Sequence, residues 1–360
     1  MTTRSLYAIA FALVLAGSAA PAAQAPTFSI TLTGQSMIRS DIRTGVPAAV
    51  PVITSLLKGD VVFTNFETTI LDVKKGQSPK DGRFLSPPET LEALKTFGFN
   101  LVSLANNHAW DLKVPGIENT LAQAQRIGLT HAGTGMNVAE AVAPGYLRTP
   151  KGTVALIAMA SGLIAEGGSA TPTRAGVNEL RVENNKPNPE DSKRILDSIR
   201  TASRQADLVV VYEHNHVFDK PFLTMMGEEL PERLVPPDWL KKWTHDEIDA
   251  GADIIVMHGA PLLHGVEIYR GKPIFYGLGS FSFHTGHGGR KHGDWVGMMA
   301  RVVVDSGKTS ASFRFVRHND NNETYFPNPD AEQATIEDLK KRGSAFGTKY
   351  TIQGEEVTLA

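Results

Sequence analysis

The strongest constraint on this chain is a set of short, almost continuously apolar runs at residues 99–104, 207–212 and 253–257, each leading directly into polar residues. Runs of strand length that are apolar on both faces read as strands covered on both sides, which is the condition of a parallel sheet packed between layers. Helix signals fall between them. Leu91, Leu94 and Phe97 make an apolar face behind a capping box at Ser86-Pro87-Pro88-Glu89, closed by Gly98. Pro115-Gly116 opens a second helix with Ile117, Leu121 and Ala124 on one face, and Asn188-Pro189 opens a third facing inward through Ile195, Ile199 and Ala202. Pro237-Asp238-Trp239 starts a fourth, ended by Gly251.

Shorter runs complete the outline. Residues 28–33 alternate as a first strand and end in a turn at Gly34-Gln35-Ser36, a helix is expected within 46–57, and a second strand covers 60–63. A short strand near 129–131 precedes three hairpins, at 146–159, 265–276 and 295–317. A terminal helix over 330–342 and a short closing strand follow. Residues 161–189 read as a long excursion with little periodicity, either belonging to a site or merely solvated. The expected fold class is α/β, a sandwich of two sheets flanked by helices.

Glu67, Asn107, His214 and His258 each stand just beyond a predicted strand, and such positions converge at one edge of an α/β sheet. One carboxylate, one amide oxygen and imidazoles suit Zn, Mn or Fe better than calcium, which prefers an all-oxygen shell. His216 and His264 are additional candidate ligands, the alternative for each being a hydrogen-bonded role beside the metal. In the turn Asn106-Asn107-His108-Ala109-Trp110-Asp111, the carboxylate can fix the tautomer of His108 and equip it as a catalytic acid. The alternative is an asparagine-rich turn whose side chains cap the following backbone.

Composition narrows the setting. Arg4, the apolar stretch 6–16 and small residues at 20–25 predict a signal peptide over 1–25, and hence a periplasmic or secreted protein. The apolar stretch is too short to span a bilayer comfortably, so no stable transmembrane span is expected in the mature protein. The chain has no cysteine, which excludes a disulfide framework. With 36 basic against 38 acidic residues and a formal net charge of −2, nothing points to nucleic acid. Arg43, Lys80, Arg83, Arg290 and Lys291 can receive anions or be ordinary surface charges. The glycine- and histidine-rich tract at 284–292 reads equally as a rim over the site or a surface loop. Nothing in the sequence sets the oligomeric state.

Four segments resemble the bacterial capsule-synthesis CapA, or poly-gamma-glutamate synthesis, family. They are Leu104-Ala105-Asn106-Asn107-His108 with Asp111, Asn65-Phe66-Glu67, Gly251-Ala252-Asp253-Ile254-Ile255 with His258-Gly259, and GVEIYRGKPIFYGLGSF at 265–281. The resemblance spans about 28–285 and implies a calcineurin-like metallophosphoesterase fold, with four layers and two mixed sheets between helices. A single domain is expected over 26–325, with 326–360 as an extension packed on it. Two positions depart from the family pattern. Gln35 stands where the first strand normally supplies an aspartate, and Ala260-Pro261 replaces the usual second histidine of the third histidine motif, with His264 slightly beyond. These departures favour one tight metal site over two. The implied function is a metal-dependent hydrolase acting on an envelope-associated polymer or a small anionic substrate. The alternatives are a noncatalytic accessory in capsular polymer assembly and a metal-containing protein that binds an anionic ligand.

Overall fold

The computed structural model describes residues 27–218, 235–284, 296–319 and 323–360. In chain order the strands that build the sandwich are β1 (Phe28–Ile38), β2 (Val61–Phe66), β3 (Leu101–Ser103), β4 (Thr130–Ala132), β5 (Gly145–Thr149) and β6 (Gly152–Ser161). They continue as β7 (Leu208–Asn215), β8 (Ile254–Gly259), β9 (Val266–Tyr269), β10 (Lys272–Phe275) and β11 (Ser280–His284). The last are β12 (Gly297–Asp305), β13 (Lys308–His318), β14 (Thr324–Tyr325), β15 (Tyr350–Gln353) and β16 (Glu356–Leu359). The principal helices are α1 (Ala49–Leu56), α2 (Pro88–Phe97), α3 (Lys113–Arg126), α4 (Pro189–Ser203), α5 (Asp238–Ala250) and α6 (Gln333–Arg342).

Two mixed sheets result. The first runs β15-β16-β13-β12-β1-β2-β3-β4, with β11 added to β1 and β14 to β13, while the second runs β9-β10-β8-β7-β6-β5. Within strands, alternate residues serve opposite layers. Ile30, Phe63, Leu156, Val210 and Val256 meet in the core between the sheets. Val62 and Val102 turn outward to α2 and α3 through Leu91, Leu94, Phe97 and Ala124. Ile157, Val211 and Ile255 turn the other way to α4 and α5 through Ile195, Ile199, Trp239 and Trp243. The order is therefore helix, sheet, sheet, helix, as expected, and the apolar runs are continuous because both faces of each central strand are covered.

Several boundaries differ from expectation. The predicted turn at Gly34 is instead a close passage: β1 continues to Ile38 with a shift of register between Gln35 and Ser36, and pairs in parallel with β11. A Cβ at Gly34 would lie 1.7 Å from the carbonyl oxygen of Gly279. Gly34→Ala is accordingly expected to destabilise the fold by at least the about 1–3 kcal/mol typical of overpacking, read as a lower urea midpoint at unchanged slope. The capping box does not form. Pro87 takes the N-cap position of α2 without a side-chain bond, while Ser86 Oγ is 2.6 Å from Thr68 Oγ1 and also donates to the Ile38 carbonyl. Residues 161–189 are not a free loop, since Val177 and Leu180 are buried and Asn178 donates to the Ala158 carbonyl at 2.9 Å. The C-terminal segment forms a hairpin rather than one closing strand, and β16 pairs with β13. The predicted leader and most of the 284–292 tract lie outside the described residues.

Candidate metal centre

Pairing of parallel strands sets the site. β7 and β8 run side by side with His214 opposite His258, so both histidines lie inside the last turns of the ladder rather than beyond it. His216 follows at the same-face spacing, its amide bound to the Ser161 carbonyl at 2.8 Å. Glu67 immediately follows β2 in the other sheet. The Asn-Asn-His turn after β3 is tied to that strand end: Asn106 Nδ2 donates to the Phe66 carbonyl at 2.8 Å and Asn106 Oδ1 accepts from the His108 amide at 3.0 Å.

The side chains converge on His214 Nε2. Asn107 Oδ1 lies 2.9 Å away, His216 Nε2 3.1 Å and Glu67 Oε1 3.7 Å. Candidate donor atoms of Glu67, His214 and His216 all fall within 4.8 Å of one another. His258 Nδ1 stands 3.7 Å from the second oxygen of Glu67. His264 is outside this grouping; its ring stacks on Phe218 at 5.8 Å between centroids. His108 forms a separate pair beside the cluster, Nδ1 to Asp111 Oδ2 at 2.8 Å, and the same carboxylate oxygen accepts from the Phe84 amide at 2.6 Å.

Electrostatics explain why a cation fits. Burial, reinforced by neighbouring imidazoles, holds His214 and His258 well below the ordinary histidine value, and burial pushes His216 down to about 3. These rings are neutral near pH 7, the form in which an imidazole can ligate a metal. Burial, with a smaller contribution from Asp111, drives Glu67 well above the usual carboxylate range. The 3.7 Å contacts are therefore not ion pairs between charged partners. Glu67 Oε2 and both ring nitrogens of His258 are buried without a hydrogen bond. A buried polar group left without a hydrogen bond costs about 1–3 kcal/mol, and a divalent ion among these would offset that cost.

Further neighbours surround His214, of which Tyr212 was not singled out from sequence. The Tyr212 hydroxyl is 3.3 Å and Asn65 Nδ2 3.5 Å from His214 Nδ1. Tyr212 was detectable in principle, standing two residues before His214 and so on the same strand face. Gln35 is buried beside Asn65 in the register; its Nε2 donates to Ser280 Oγ at 3.1 Å while Oε1 makes no hydrogen bond.

Two sheets between helices, with a carboxylate, an amide and imidazoles gathered at one strand edge, accord with a metallophosphoesterase-like fold. The model of the bacterial capsule synthesis protein PGA_cap family matches residues 22–285, and the chain belongs to that family. It is 28% identical over 315 residues to the uncharacterized protein y4sH of Sinorhizobium fredii, covering 71% of this chain and 66% of that one. It is 30% identical over 229 residues to the PGA biosynthesis protein CapA of Bacillus subtilis, covering 63% of this chain and 54% of the relative. The matches thus span between about half and two thirds of these relatives' lengths. A crystal structure of a novel phosphatase from Mycoplasma pneumoniae is similar at 13% identity, with a TM-score of 0.45 over 82% of this chain and 96% of that one. That likeness is too loose to carry a reading of this chain.

Proposed function

We propose that this protein is a metal-dependent hydrolase that cuts a phosphoester, or an ester or amide, in an anionic envelope-associated substrate. The observation that carries the reading is the convergence of Asn107, His216 and Glu67 on His214 Nε2, beside buried donors that make no hydrogen bond. Glu67, Asn107, His214, His216 and His258 would hold the ion, and His264, stacked on Phe218, is a further candidate ligand. When bound, such an ion supplies Lewis acidity and water activation. The Tyr212 hydroxyl, accepting from Nδ1–H of His214, leaves Nε2 bare as a donor to metal. His108, its Nδ1 held by Asp111, presents Nε2 to donate a proton to the leaving group. Placement in the periplasm or outside the cell accords with capsule synthesis and with the predicted leader.

The centre would hold one tight ion, of Zn, Mn or Fe type. Gln35 is neutral and gives a second cation no charge compensation. Elemental analysis after extensive dialysis is expected to return about one equivalent, and Gln35→Asp to raise retention of a second. Two tight equivalents in the unchanged protein would reject this account. A hydrolysis screen of phosphoesters, lactones and gamma-glutamyl amides, repeated after chelation, tests the reaction itself. The same Gln35 favours a second reading, an accessory of capsular polymer assembly without turnover. Metal content and polymer binding with no hydrolysis in that screen would select it.

A further inference from the structure

Arg39 has no carboxylate partner among the described residues, although it lies one strand end away from the His108 turn. Its Nη2 donates to the Arg83 carbonyl at 2.7 Å, its guanidinium lies 4.1 Å over the Phe84 ring, and its Nε is buried without a hydrogen bond. Phe84 connects it to the proposed acid. The Phe84 ring is 5.5 Å from that of His108, and its amide is bound to Asp111. Asp111 is already engaged by His108 and by that amide, so its charge acts on Arg39 only through space. A half-buried guanidinium with unused donors has lost hydration without gaining an anion, and planar forks of this kind bind carboxylate and phosphate oxygens in pairs.

We propose that Arg39 is a specificity-determining residue that binds an oxyanion of the substrate next to the group His108 protonates. The inference rests on the hydrolase reading of the same opening. It narrows the substrate to one carrying phosphate or carboxylate oxygens close to the scissile bond. Phe84 fixes the plane of the guanidinium, and the Arg83 carbonyl fixes one edge, so the fork is set before substrate arrives.

Calorimetric titration of the metal-loaded full chain with inorganic phosphate, and separately with glutarate, tests this. Arg39→Gln removes the charge and the fork while keeping a polar side chain, and should raise the Kd of the preferred anion about 10- to 100-fold. Metal content and melting temperature should stay unchanged. Arg39→Lys should recover part of the phosphate affinity, since a point charge still attracts the anion without the fork. Tighter phosphate binding assigns the oxyanion to a phosphoester, and tighter glutarate binding to a carboxylate. A Kd within about twofold of the unchanged protein in Arg39→Gln overturns the inference. So does failure of the unchanged protein to bind either anion, or weakening that only follows lost folding in both variants. A protein that retains no metal yet shows the Arg39-dependent difference would sink the metal reading alone, whereas metal and turnover with no Arg39 dependence would sink only this inference.

Discussion

His108→Ala is expected to keep its metal and to turn over substrate about 10²- to 10⁴-fold more slowly than the unchanged protein, the range for deletion of a positioned acid or base. The two halves of that result come from different contacts. Metal is retained because the atoms around His214 Nε2 belong to Asn107, His216 and Glu67, not to His108. Turnover falls because the ring held by Asp111 at 2.8 Å is the proposed proton donor. The turn should survive the loss of the ring. Asn106 anchors it by side-chain bonds to the backbone, and Thr69 Oγ1 donates to the His108 carbonyl at 2.6 Å. Initial rates and metal content measured on identically folded samples give the answer, and full turnover by His108→Ala would sink its proposed role.

The second large effect is expected at the paired histidines. His214→Ala and His258→Ala should each lose both metal and activity, because few donors are present and removing one imidazole directly weakens the ion. The pairing of His214 with His258 across β7 and β8 makes the two changes nearly equivalent in position. They differ in the donors gathered at the ring: Asn107, His216 and Glu67 approach His214 Nε2, whereas Glu67 approaches His258 Nδ1 at 3.7 Å. His214→Ala should therefore lose metal the more completely. Full metal retention in both variants would eliminate the site.

Strand interiors were legible because burial on both faces leaves an uninterrupted apolar signature, as at 208–212 and 254–257. Strand ends were not. Backbone pairing carries β2 to Phe66, β7 to Asn215 and β8 to Gly259, through the very polar residues that interrupt the signature. Gly34 looked like a turn because its need for space, set by Gly279, comes from a distant segment. The capping box failed because Ser86 is drawn to Thr68 and Ile38, partners invisible in local sequence. The site was more readable than these details. Glu67, Asn107, His214 and His216 are brought together with His258 beside them, since strand-end residues in such sheets meet at one edge. His264 stacks on Phe218 instead. Arg39 gave no signal because its significance depends on the ring of Phe84, 45 positions away.

Glu67 follows a strand of the ten-stranded sheet, while His214 and His258 lie in the six-stranded one. An ion held between them is a rivet through the sandwich. In a chain with no cysteine to form a disulfide, it would be a coordinate cross-link between the two layers. Because ligation by folded protein alone adds RT ln(1 + [L]/Kd) to stability, about 4 kcal/mol at a thousandfold excess over Kd, the supply of metal would govern how much of the chain stays folded as well as whether it acts.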